Sequence, residues 1–255
     1  MFESRVTDGV LRARRPGTRW LSTVFSGGYE TADAAYNCTV PEGFDRTDLP
    51  EYVAERRERA GFDDAGPAML TGVAQRHARR ARLDGVEVVA TAGASNPAAL
   101  PTDGESVSAT VAEGVELGGV RSEDTEPDGD GPPRPGTVNL VVGTTRALTD
   151  GALATLLGTA VEAKTATVLA ETGFTGTTSD AVVAGTDPAG ESAAFAGSAT
   201  PVGHAARVCV RDAVRASLRA RYERADTTDS VPESVSAADY GVVSEGRATV
   251  SRVDE

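Results

Sequence analysis

The chain has 255 residues and a formal net charge of −13, from 38 acidic and 25 basic residues, with a sequence pI near 4.7. That balance argues against nucleic acid, whose phosphates need a basic surface, and Cys38, Cys209, His77 and His204 are too scattered for a disulfide framework or a metal site. No apolar run approaches the roughly 20 residues of a membrane span, and MFESRVTDGVLRARRPG lacks the apolar core of a signal peptide, so a cytoplasmic protein without a membrane partner is expected.

Dispersed Asp and Glu, abundant Ala and Arg, and a single lysine suggest a halophilic protein, because concentrated salt screens the self-repulsion of an acidic surface. Most carboxylates then need no catalytic explanation.

In chain order, Val10 to Arg14 and Trp20 to Ser26 are β-like runs separated by Arg15-Pro16-Gly17, a hairpin signal. LPEYVAERRERAGF reads as a surface helix with Pro50 in its first turn. GPAMLTGVAQRHARRARL reads as a second helix, with Met69, Val73 and Leu83 among its apolar positions and a solvated RHARRAR end suited to a helix C-terminus. VVATAGASNPAAL is a strand to Thr91 and then a loop bracketed by Gly93 and Pro97. It presents Ser95 and Asn96 at a strand end, where α/β proteins commonly bind ligands, although an ordinary strand-ending turn has the same local sequence.

Residues 121 to 135, RSEDTEPDGDGPPRP, form an acidic loop or disordered insertion. GTVNLVVGTTRAL is a strand containing Asn139. Asp150 to Glu171 is the clearest helix, with Leu153, Leu156, Leu157, Ala160, Val161 and Val168 on one stripe. TSDAVVAGT and SAAFAGSAT read as short strands, and Val202 to Tyr222 as a last amphipathic helix that His204 helps to open. A polar extension over 225 to 255 ends in YGVVSEGRATVSRV, readable as a hairpin turning at Glu245-Gly246. The elements do not repeat as βαβ, so the expected class is α/β (α+β). Residues 1 to 224 make a single domain with a mixed, partly antiparallel sheet flanked by helices.

Lys164 is the lone lysine. At 100° per residue it projects with Leu157, Ala160 and Val161, while Glu162 points to the opposite side. A lysine on a buried stripe snorkels out, pairs with a carboxylate or gives up its proton, and in a cleft it can serve as a base or stabilise an anion.

LSTVFSGGYETADAAYN, VVATAGASNPAAL, GTVNLVVGTTRALTDGALATLLGTAVEAKTA, and GTTSDAVVAGT followed by FAGSATPVG occur in an order that resembles the adenosylcobinamide amidohydrolases of archaeal corrinoid salvage, over roughly residues 20 to 220. The most specific pieces are ATAG-SNP and the EAKTA helix preceded by G-T-N. The first glycine-rich segment is reduced to Ser26-Gly27-Gly28-Tyr29, and the family's Gly-Thr-Gly-Thr-Asp run stands as Gly176-Thr177-Thr178-Ser179-Asp180, which keeps a hydroxyl before the aspartate and loses one glycine. The resemblance implies hydrolysis of the amide between the corrin propionyl side chain and aminopropanol, giving adenosylcobyric acid. The corrinoid is then a small-molecule substrate and no cofactor is needed.

Amide hydrolysis requires a nucleophile, stabilisation of the oxyanion and a proton for the departing amine. The catalytic candidates are Lys164, Asp180, Ser179 and Asn139. Lys164 could act as base and then acid with Ser179, Thr177 or Ser95 as the activated hydroxyl, or Asp180 could activate a water. Asn37, Thr91, Ser95, Asn96, Thr177 and Glu162 are candidates for holding the substrate, whose periphery is rich in amides, and small residues from Ala92 to Ala99 would let the backbone approach a flat macrocycle. No metal ligand is assigned. The rival readings are a corrinoid carrier without turnover and a plain α/β protein whose shared segments serve packing.

Overall fold

The computed structural model describes residues 1–101, 136–223 and 230–253, so the acidic insertion at 121 to 135 lies outside the described residues. The elements run β1 (Glu3–Thr7), β2 (Val10–Ser22), β3 (Gly28–Thr39), α1 (Leu49–Arg59), β4 (Ala68–Thr71), β5 (Arg79–Leu83), β6 (Val86–Ala92), β7 (Pro97–Ala99), β8 (Val138–Thr144), β9 (Ala147–Leu148), α2 (Asp150–Thr172), β10 (Gly176–Thr177), β11 (Ala181–Thr186), β12 (Ser192–Ala193), α3 (Pro201–Tyr222) and β13 (Val242–Val243).

The main sheet has eight strands in the order β4-β3-β2-β11-β8-β6-β5, with β1 also on β2. It is mixed: β11 and β8 are parallel, as are β3 and β4, and the other pairs are antiparallel. Side-chain alternation sorts the core into layers. Val88, Ala90, Leu140, Val142, Val182 and Ala184 face Leu153, Leu156, Ala160 and Val168 of α2 and Ala206, Val210 and Val214 of α3. Their odd-numbered neighbours Val89, Val141 and Val183 pack against Leu11, Trp20, Ala35 and Met69, so the β2–β3–β4 half of the sheet folds over the other face of the β11–β8–β6 half. α1 closes the outside of that second wall through Val53, against Val10, Tyr36 and Cys38.

Two features of the N-terminal half depart from the sequence expectation. Arg15-Pro16-Gly17 does not turn a hairpin. β2 runs straight through it with a register shift between Arg14 and Thr18, and this irregularity lets one strand pair with β1 along its first half and with β11 along its second. The hairpin turn is instead Asp8-Gly9, with φ of 48° and 72°, both positive as a type I′ turn requires.

The segment expected as a second helix is β4, a single 3₁₀ turn at Gln75–His77, and β5. Asp84-Gly85, with φ of 43° and 78°, turns β5 back into β6. Ala81 and Leu83 pack on the core, whereas Arg80 and Arg82 ion-pair at 3.0 and 3.1 Å with Glu87, which has no exposed surface. The RHARRAR run is therefore the end of a 3₁₀ turn leading into a half-buried edge strand rather than a solvated helix end.

α2 satisfies its first turn through the Thr149 hydroxyl, which accepts from the Ala152 N–H, and stops at Gly173 in the left-handed conformation. It is long and apolar enough by composition to cross a membrane, but half of that stretch is buried inside this fold. Thr200 caps α3, with Pro201 in the first turn. At the C-terminal end Val242–Val243 adds to β7 in parallel, and residues 244 to 253 hold no regular element, so Glu245-Gly246 does not join two strands.

Candidate active site

Lys164 is buried, with 6% of its surface exposed. The centre of α2 points it at the start of β11, where its Nζ pairs with Asp180 Oδ2. Each carboxylate oxygen receives a second donor: Oδ2 the Thr177 N–H at 3.1 Å, and Oδ1 the Val138 N–H at 2.8 Å together with the Thr177 hydroxyl. Gly176 is what lets the pair come this close. A Cβ there would lie 2.8 Å from Asp180 Oδ2 and 3.6 Å from Lys164 Nζ. A buried ion pair requires such a set of hydrogen bonds to offset the desolvation of both charges.

Behind this cluster, on the opposite face of the same strand ends, lies a wholly buried amide network. Asn139 donates from Nδ2 to Asn37 Oδ1 at 3.1 Å and to the Leu70 carbonyl at 2.8 Å, and its Oδ1 accepts from the Ala181 N–H at 3.2 Å. Asn37 in turn donates to the Thr91 hydroxyl at 2.8 Å. β strand parity explains the arrangement: Asn37, Thr91 and Asn139 all point into the space between the two halves of the sheet, each near a strand end.

The structure thus brings Lys164, Asp180 and Thr177 into one cluster and Asn37, Thr91 and Asn139 into another that shares its strands. The loop after β6 adjoins the first: the Asn96 carbonyl accepts from the Thr178 N–H at 3.2 Å, and β7 pairs with β10 across Pro97 and Thr177. Asn96 is buried and Ser95 half-buried. Ser179 is exposed on the turn before Asp180. Glu162 is not brought to either cluster. It sits on the solvent side of α2 and pairs with Arg207 of α3 at 2.6 Å.

The small residues of the ATAGAS loop have a packing reason that the sequence does not disclose. Ala92 and Ala94 have no exposed surface. Their N–H groups are taken by Ser217 Oγ and Tyr222 OH of α3 at 2.9 and 2.8 Å, and a Cβ on Gly93 would lie 2.4 Å from the Arg221 guanidinium. Bulk at Ala94 would therefore disrupt the fold before it blocked a ligand. The α3 residues Ser217 and Tyr222 and the Val138 N–H are parts of the site region for which the local sequence carries no signal.

The histidines stand apart. His77 Nδ1 bonds the Ala220 carbonyl at 2.9 Å, and burial, aided by Arg76, pushes its pKa down. His204 lines a groove of about 400 Å3 between α2 and α3, to which neither Lys164 nor Asp180 contributes. The groove's Arg215 is engaged by Glu171 at 2.7 Å. Among the described residues no group of three or more His, Cys, Asp or Glu side chains is placed to share a metal ion.

The family model described as adenosylcobinamide amidohydrolase matches residues 1–226. The chain belongs to the adenosylcobinamide amidohydrolase family. An adenosylcobinamide amidohydrolase of Halobacterium salinarum is 52% identical over 256 residues, covering 99% of this chain and 100% of that protein. The amidohydrolase match takes in both clusters and all three helices, and stops short of the tail that carries β13.

Proposed function

We propose that this protein hydrolyses the amide linking aminopropanol to the corrin ring of adenosylcobinamide, releasing adenosylcobyric acid for corrinoid salvage in the cytoplasm, without a resident cofactor. The observation that carries this reading is the Lys164–Asp180 pair, held at the ends of β8 and β11 beside the ATAG-SNP loop. An amine is a poor leaving group until protonated, and Lys164, held in position by Asp180, sets a nitrogen that can carry that proton at the site. A buried ion pair is weak evidence of stabilisation in itself, so its placement in the segment that resembles the family's motif favours a chemical role.

Asp180 orients the Lys164 ammonium and the Thr177 hydroxyl, and Asn139 holds the strand ends on which Asp180 stands. Asn96 and Ser95 border the cluster, and this reading gives them the amide periphery of the corrin. Membership of the amidohydrolase family and the similarity to the Halobacterium salinarum enzyme support the choice of substrate. The test is release of aminopropanol from adenosylcobinamide by the purified protein in concentrated salt. A protein that shifts the corrinoid spectrum but frees no amine would be a carrier, and this reading would fail.

A further inference from the structure

We infer that the reaction is covalent and that Thr177 is its nucleophile, forming an ester with the corrin propionyl group; the inference rests on the amidohydrolase reading above. Several hydroxyls precede or border the ion pair, and the geometry separates them. Thr178 and Ser179 are exposed. Ser95 packs against Gly136, whose Cβ position lies 2.7 Å from its Oγ. Thr177 alone donates its hydroxyl to Asp180 Oδ1, while Lys164 holds Oδ2 of the same carboxylate. A hydroxyl becomes a useful nucleophile when a positioned base takes its proton, and the base is itself oriented by a third group. Thr177, Asp180 and Lys164 stand in that relation.

The protons balance without any further reactant. Thr177 Oγ bonds the amide carbon as its proton passes to Asp180. The Lys164 ammonium protonates the departing nitrogen as the C–N bond breaks. Asp180 then returns a proton to Lys164, restoring ammonium and carboxylate. Water attacks the ester by the same relay, its proton going to Asp180, and Thr177 recovers its hydrogen from Lys164 as the acid leaves.

The experiment is partition with hydroxylamine. Two substrates are compared, adenosylcobinamide and an analogue with ethanolamine in place of aminopropanol. A shared ester predicts the same ratio of hydroxamate to acid from both, because the amine has gone before either nucleophile attacks. Thr177→Ala should lose turnover by at least roughly 10³-fold, with Thr177→Ser, which keeps a hydroxyl for Asp180, retaining part of it and melting near the parent. A ratio that changes with the leaving amine, or a Thr177→Ala enzyme within tenfold of the parent, overturns the covalent step while leaving the hydrolase intact. Absence of amine release from the parent protein removes both readings.

Discussion

Asp180 and Asn139 each accept a hydrogen bond from a backbone N–H next to the other, across the starts of two parallel strands. The Asp180 carboxylate takes the N–H of Val138, the residue before Asn139, and the Asn139 side-chain oxygen takes the N–H of Ala181, the residue after Asp180. Each side chain therefore fixes the strand that carries the other. The Lys164–Asp180–Thr177 cluster and the amide network lie on opposite faces of the sheet, and these two hydrogen bonds are their mechanical link.

Asn139→Ala should reveal that link. It leaves the Ala181 N–H, the Leu70 carbonyl and Asn37 Oδ1 with partners missing in the interior, at a cost of about 1–3 kcal/mol. Because Asp180 is then less firmly placed, kcat should drop with KM for the corrinoid little changed. Equilibrium denaturation and steady-state kinetics on one preparation check both. A variant as active as the parent once folded would confine Asn139 to a structural role.

Lys164→Met removes the ammonium and keeps the stem. Turnover should fall by at least roughly 10²-fold, as for loss of an acid-base group. Stability should also fall, because the part-buried Asp180 carboxylate is left with one donor fewer. Lys164→Arg carries charge but cannot give up its proton near neutral pH, so a relay predicts that it fails almost as badly, whereas an electrostatic role predicts partial rescue. The double variant with Asp180→Asn should be far less impaired than the sum of the single changes, since each breaks the same unit.

α2 and α3 were legible in the sequence because they are long enough for their periodicity to show; the same periodicity puts Lys164 on the apolar stripe of α2 without separating snorkelling from pairing, and puts Val161 there too, which the structure exposes. What failed was the stretch from Met69 to Leu83, where the i, i+4 spacing of Met69 and Val73 imitates a helix while Gly72 and Asp84-Gly85 cut the chain into pieces four or five residues long. The Asp-Gly turns at Asp8-Gly9 and Asp84-Gly85 were the informative dipeptides, and each adjoins one arginine-rich strand, β2 or β5, whose alternation is masked by charge. Within the site, Lys164, Asp180 and Asn139 could be singled out one by one. Their division into two clusters could not, because it depends on the sheet folding so that β4 reaches β8, a contact between residues 69 positions apart in sequence.

Gly176→Ala probes how tightly the pair is packed. The glycine does not adopt a positive φ, so backbone strain is not the issue; the new methyl would sit 2.8 Å from Asp180 Oδ2 and must displace it. The expected result is a large loss of turnover with a modest loss of melting temperature. Gly158→Ala is the control, since a Cβ there meets nothing within 4 Å and alanine favours helix by about 1 kcal/mol over glycine. It should stabilise α2 slightly and leave turnover alone. Equal effects of the two changes on rate would mean that the space around Gly176 has no bearing on the chemistry.

The alkaline limit of stability should be set partly by Cys38. It is wholly buried beside Val10, Tyr36, Val53 and Phe62, and burial raises its thiol from the ordinary 9.0 to about 11. The unfolded chain ionises first, so the buried thiol's contribution is complete below pH 9, declines as pH rises from 9 towards 11, and is gone beyond that. Two pH units correspond to about 2.7 kcal/mol for one thiol. Tyr36, raised to about 12, extends the same trend upward. Cys38→Ala loses packing at neutral pH but should show a shallower decline in melting temperature between pH 9 and 11. If it falls as steeply as the parent across that window, the ionisation that destabilises the protein lies elsewhere, and Cys209, also raised to about 11 by burial, is the next substitution to make.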